Sequence, residues 1–161
     1  MAQKDKVGVR GFFRVQLTED GEVKGDSGWT ENQVTNLGIN QYIVNWVVGD
    51  TANGKSVTHM ALGTGTAPAS NGTSLHGEVT NTDGDGRKAI SSSVVDSRTA
   101  QFTAAFNSAD SWIGSTHNIS NVGLFNTSAE TVGTLLAGNT FTSSAVATNQ
   151  NVQVTYQLRF S

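Results

Sequence analysis

The chain contains no cysteine and a single proline. The first absence excludes disulfides and thiolate-ligated metals, so stability has to come from packing or from association. Charge is scarce as well. Only 14% of residues are charged, against about 25% in an ordinary soluble domain, and the net charge is −3. No basic block exists. Lys4, Lys6 and Arg10 near the N-terminus are too few for the positive patch that non-specific nucleic-acid binding needs, so no nucleic-acid partner is expected. No run approaches the roughly 18 apolar residues of a membrane-crossing helix, and no membrane partner is expected. The opening Met1-Ala2-Gln3-Lys4-Asp5-Lys6 lacks the apolar centre of a secretion signal, which points to synthesis and folding in a cytoplasm.

Glycine, at 18 residues, and abundant Ser, Thr and Asn fill the space that charge leaves. Thr suits pleated surfaces, and Gly, Asn and Ser suit tight turns. The length of 161 residues fits one domain with one core. The clearest pattern closes the chain. Val152, Val154, Tyr156, Leu158 and Phe160 alternate with Gln153, Thr155, Gln157, Arg159 and Ser161, a strand of about 30 Å with one apolar and one wet face.

Further strands are expected at 7–17, which shares the parity of Val9, Phe13, Val15 and Leu17, and at 22–29 as an edge partner across a Thr18–Gly21 turn. A short buried strand is expected at 59–63, and hairpins at 89–95 with 99–106 and at 119–125 with 131–137. A strand at 140–146 leads into the closing one. One helix is expected: Ile39, Ile43, Trp46 and Val47 share a face at helical spacing, Thr35 or Asn36 can cap its start and Gly49 its end. This face, Trp46 included, is expected to turn to the core. About eight strands and one short helix, with closely spaced turns, are the pattern of a mainly β antiparallel sandwich or jelly-roll-like barrel. Residues 1–10 have no core pattern and read as an arm on a single domain at 11–161.

Catalytic and metal chemistry find little support. His59, His76 and His117 stand on separate segments without zinc-ligand spacing. Asp83-Gly84-Asp85-Gly86 resembles the start of a calcium loop, but Val94 stands where the bidentate Glu belongs. It reads as a solvated hairpin tip, at which binding of an ion stays open. Gly63-Thr64-Gly65 matches no phosphate-binding fingerprint, and no nucleophile elbow occurs. Neither a cofactor nor an enzymatic activity is expected. Asn71, Asn118 and Asn126 begin glycosylation triplets that chance explains in so Asn- and Thr-rich a chain. Trp29 and Trp112 lie in polar surroundings, and each reads either as an interface anchor or as a satellite of the core.

Two groups of segments carry a resemblance. The first is Gly28-Trp29-Thr30-Glu31-Asn32, Val34-Thr35-Asn36 and Gly38, then Thr58–Pro68 ahead of Leu75 and Glu78-Val79. The second is Ile119–Asn126 with Gly133–Ala137, Phe141 and the closing strand. In this order they resemble small structural proteins of tailed bacteriophages, virion components described as head decoration, head fibre or tail-associated proteins. The resemblance implies a non-enzymatic virion protein without catalytic residues. Its first expectation is a capsid decoration or cement protein, a homotrimer bound to the major capsid protein. The alternative is a tail-fibre or baseplate module whose loops bind a host-surface glycan or protein. Lys4, Lys6 and Arg10 on the arm, with Trp29 and Trp112, are the expected interface residues.

Overall fold

A computed structural model of the chain describes residues 8–50, 55–81 and 86–161. In chain order its strands are β1 (Val9–Glu19), β2 (Glu22–Asp26), β3 (Thr30–Val34), β4 (His59–Gly63), β5 (Lys88–Ala89), β6 (Ser91–Asp96), β7 (Thr99–Phe106), β8 (His117–Phe125), β9 (Leu135–Val146) and β10 (Asn151–Phe160). A helix, α1, occupies residues 36–47. The architecture is mainly antiparallel β, a nearly closed barrel or sandwich, in the order β5-β4-β8-β9-β3-β1-β10-β7-β6.

The closing strand lies between β1 and β7, and the three share one inner face. Gly11, Leu158 and Ala100 stand side by side, as do Phe13, Tyr156 and Phe102, then Val15, Val154 and Ala104, then Leu17, Val152 and Phe106. The intervening rows are Phe12, Gln157 and Gln101, then Arg14, Thr155 and Thr103. Strand parity sends them outward. Gly11 has a specific task in this sheet. A Cβ there would collide with the Asn32 carboxamide and the Tyr156 hydroxyl. Its absence lets Tyr156 donate to Asn32 Oδ1 at 3.0 Å, tying β10 to β3 across β1.

The opposite sheet, β4-β8-β9, behaves differently. Met60, Ala61 and Leu62 are all buried, and so is every residue of Asn121–Phe125. One face meets the main core through Met60, Leu62, Val122 and Leu124, and the other packs Ala61 and Phe125 with Leu75 and Leu135 in a small second core. Burial on both faces erases the alternation, so these strands read as short apolar runs.

Two corners join the sheets. Strand β3 pairs with β1 through Thr30–Asn32 and with β9 through Gln33 and Val34. At the other corner, β5 pairs with β4, and β6, one residue further on, pairs with β7. Strands that change sheet in this way make the corners of orthogonal packings.

Several expectations are corrected. β9 is one strand of 12 residues rather than two. Gly138, which invites a break, marks a close approach, since a Cβ there would lie 2.7 Å from the Val122 carbonyl oxygen. β3 was not expected at all, because Thr-Glu-Asn-Gln-Val carries little apolar signal. Val9 and Arg10 belong to β1, and Gly8 exchanges backbone hydrogen bonds with Ser161 at 2.8 and 2.9 Å. Of the expected arm at 1–10, residues 8–10 thus join the sheet, and residues 1–7 lie outside the described residues. The helix exists, yet its expected core face points outward: Trp46 is 43% exposed and Val47 81%.

Two substitutions separate inner from outer positions. Phe13→Ala should cost about 3–5 kcal/mol through the cavity it leaves. Trp46→Ser should cost less than about 1 kcal/mol. Urea unfolding midpoints at a common m-value measure both, and equal losses would contradict the outward placement of Trp46.

Candidate interaction surfaces

The first surface is made by the way α1 is seated. Thr35 lies at its start, where its hydroxyl donates to the Leu135 carbonyl at 2.7 Å and accepts the Gly38 N–H at 2.9 Å. Gly38 rests on the Leu136 carbonyl, where a Cβ would collide. Four residues on, Tyr42 is fully buried and donates its hydroxyl to the Thr134 carbonyl. Burial raises the Tyr42 pKa, partly opposed by the Arg87 charge, so the phenol stays a protonated donor. From Gly38 to Val44 the helix is π-wound, which rotates the later side chains relative to an α-helical face. Gly49, at φ +68°, closes the end.

With glycine and tyrosine turned inward, Ile39, Val44, Trp46, Val47 and Val48 stand exposed as a strip. No charged residue occurs from Asn32 through Gly49. The strip therefore combines exposure with a complete lack of charge, as an interaction surface does and an isolated exposed valine does not.

The second surface is concave. Beyond Gly138 the ladder between β3 and β9 stops, and Asn139 instead donates its side-chain amide to the Glu31 carbonyl at 2.9 Å. The later part of β9 then parts from β2, leaving a slot of about 360 Å³. Val15, Leu17, Ile119, Phe141, Val146 and Val152 form its walls, and Gly25, Asp26, Ser27, Thr142 and Ser144 line it as well. Asp26 is already neutralised, accepting from Arg14 Nη2 at 2.5 Å and from the Gly28 N–H at 2.9 Å. The Arg14 hydrogen bonds, followed by that from Gly28, hold its carboxyl well below the ordinary carboxylate range. Most of its apolar walls belong to the main core, with Val15, Ile119, Val146 and Val152 all buried, and its one carboxylate is neutralised.

A third cluster lies on the outer face of the β1–β10 sheet. Arg10 pairs with Glu31 at 2.5 Å in a fully solvated setting worth little to stability. The Arg159 guanidinium lies 4.2 Å from the Phe12 ring centre and 5.7 Å from that of Trp29. It also donates twice to Gln157 Oε1, at 3.0 and 2.7 Å. Gln157 in turn donates to Gln101 at 2.9 Å. Trp29 is 45% exposed beside this ladder.

Arg87, Glu78 and Glu130 do structural work. Arg87 is fully buried, pairs with Glu78 at 2.6 Å and lies 3.7 Å from the Phe125 ring centre. It also donates to the carbonyls of Val132, at 2.8 Å, and Thr127, at 3.2 Å. It therefore joins the 78–87 region to the 126–133 loop. Glu130 adds to this by accepting the N–H groups of Asn81 and Gly86.

Among the expected interface residues, Arg10 and Trp29 come together around Phe12 and Arg159. Lys4 and Lys6 lie outside the described residues, as does most of the Asp83–Gly86 loop. Trp112 is corrected from anchor to core: it is 0% exposed and packs edge-on against Phe106, with ring centres 5.1 Å apart. Its polar sequence neighbours are turn residues, which hide the burial. The three histidines stay apart, each hydrogen-bonded to a local hydroxyl. Burial and then the Arg87 charge lower the pKa of His59. Among the described residues no three His, Asp, Glu or Cys side chains converge as metal ligands.

Sequence reasoning missed the strip and the slot. The strip has a signal, a glycine inside an apolar helix, which marks close backbone approach on its own side. The slot has none, because its walls come from β1, β8, β9 and β10. Compared with protein-family models, curated proteins and solved structures, the chain matches none.

Two outcomes follow from the ion pairs. Arg87→Met leaves Glu78 buried and unpaired, which should cost about 3–5 kcal/mol in urea unfolding. Adding Glu78→Gln should recover part of the loss, as coupled sites do. For Asp26, whose folded pKa is depressed, the stabilisation is complete above about pH 4 and fades as pH falls through the folded value. In Arg14→Gln the Asp26 side-chain carbon should titrate at a clearly higher pH than in the wild type by NMR, with the Gly28 hydrogen bond still holding it down. An unmoved titration would mean that Arg14 does not hold it.

Proposed function

We propose that this protein is a non-enzymatic structural subunit of a bacteriophage virion, a capsid decoration or cement protein that binds copies of itself and the major capsid protein. The observation that carries the reading is the strip of Ile39, Val44, Trp46, Val47 and Val48, five of the ten large hydrophobics exposed among the described residues, brought together on one short uncharged helix and the turn that follows it. Such a strip asks for a partner surface of the same chemistry, not for a diffusible substrate. The phage resemblance supplies the context. Its segments fall on β4, β8, β9 and β3, which are consecutive neighbours in the sheet, and on β10, which β1 separates from them. Low charge suits a subunit that must stay soluble alone and then desolvate broad areas at little cost.

A second reading, a tail-associated module binding a host-surface glycan, is favoured by one feature. The half-exposed Trp29 ring beside Phe12, Arg159 and the Gln157–Gln101 ladder combines a stacking face with planar hydrogen-bonding groups.

Imaging of native particles separates the two readings. A shell protein occupies hundreds of symmetric sites, and a tail module about a dozen. Val47→Lys should sharply lower occupancy on the shell while leaving thermal unfolding unchanged. Full occupancy by this variant would sink the assignment of the strip. Specific glycan-array hits lost in Trp29→Ala would favour the tail module.

A further inference from the structure

Among the described residues, Arg10, Arg14 and Arg87 each pair with a carboxylate, and Arg159 pairs with none. Glu31 stands opposite Phe12 in the ladder, yet Arg10 holds both of its oxygens, at 2.7 and 2.5 Å. The Arg159 charge is therefore not offset. Its guanidinium is nevertheless held in place. It lies over the Phe12 ring at 4.2 Å, and its Nε and Nη2 both donate to Gln157 Oε1. Gln157 itself is buried, at 8% exposure.

The ladder has a fixed polarity. A guanidinium only donates, so Gln157 must turn its Oε1 to Arg159 and its amide nitrogen to Gln101. Gln101 accepts with its own Oε1, which leaves its amide N–H groups without a partner among the described residues. At the other end, Arg159 Nη1 makes no hydrogen bond among the described residues, so the Nη1–Nη2 fork is open. Both ends of the ladder offer donors, with one uncompensated positive charge between them. A matching ligand brings acceptors and negative charge. Beside the fork, 5.7 Å from the guanidinium, is the half-exposed Trp29 ring.

We infer that this cluster binds an anionic saccharide, with the Arg159 fork on the acid group and the Trp29 ring against a sugar face. This rests on the glycan-binding reading above and narrows its ligand to a charged class. A pyranose has an apolar C–H face and a rim of oxygens, which suits a flat ring beside planar donors. A carboxylate or a phosphate takes two parallel N–H groups from a guanidinium. An acidic peptide suits the place less well. The cluster lies over β1, β10 and β7, and β10 is paired along both of its edges. An extended peptide finds no free strand edge there to join. A sugar needs none.

A glycan array read with the full chain should give its hits among acidic members. Calorimetric titration then uses trigalacturonate, with a carboxylate on every ring, and its methyl ester, which keeps the rings and removes the charge. The acid form should bind at least about tenfold more tightly than the ester. Arg159→Gln should erase that difference, whereas Trp29→Ala should weaken both forms, with melting temperatures unchanged in each. Binding of a hexose phosphate, lost in Arg159→Gln, would support the inference with phosphate as the acid group. Equal binding of acid and ester by the wild type, or hits confined to neutral glycans, would overturn the inference and leave the glycan reading standing. A loss in Arg98→Gln as large as in Arg159→Gln would show general attraction to positive charge, and would overturn it too. Polyglutamate bound through Arg159, with no glycan bound, would remove both readings of this face. The assignment of the strip to the shell is untouched by any of these results.

Discussion

The inward burial of Val152, Val154, Tyr156 and Leu158 is the constraint on which the rest of the molecule depends. Each such side chain contributes about 1.5–3 kcal/mol when fully removed from water, and all four sit in one strand between two others. A slip of one residue would turn Gln153, Thr155, Gln157 and Arg159 inward and lose the whole set at once. Register is therefore fixed in β10, and through it in β1 and β7. Fixed register in β1 places Gly11 beneath the Tyr156 hydroxyl and aligns β2 and β3 end to end along its free edge. It also sends Arg159 outward, next to Phe12, so the outer aromatic cluster is a by-product of core packing.

How far this was legible depended on how many faces each strand buries. β1, β7 and β10 bury one face, keep period two, and were readable as strands, β1 and β7 with β2 and β6 as their hairpin partners, whereas the place of β10 between β1 and β7 was not readable. β4 and β8 bury both, so Met60-Ala61-Leu62 and Val122-Gly123-Leu124-Phe125 show only apolar runs. β3 has almost no apolar signal because its role is to change sheets, which rests on backbone pairing and on Asn32. The helix was legible as a helix, with the Thr35 start and Gly49 end as expected. Its orientation was not, because periodicity reports which residues share a face and says nothing of which face docks. Here the decision lies with Gly38, whose missing side chain lets the backbone approach β9 more closely than the Ile39 face could.

Scarce charge has a definite distribution. The buried pair Arg87–Glu78 joins two loops that no strand ladder connects, and Arg14–Asp26 braces β2 against β1 at the margin of the slot. Elsewhere the surface relies on hydroxyls and amides, which hydrate without the large desolvation penalty of ions. A surface so built can be covered at low cost. The strip is its extreme case, since its five side chains carry no charge and Asp50, two residues beyond Val48, is the first charge after Glu31.

Two glycines shape the convex and concave features, in opposite ways. Gly38 is required by close approach, and the outward strip follows from the docking it permits. Gly25 is not required by space, since ordinary van der Waals room exists for a side chain that would fill the slot. An apolar cavity left open forgoes contacts that a leucine at Gly25 would restore.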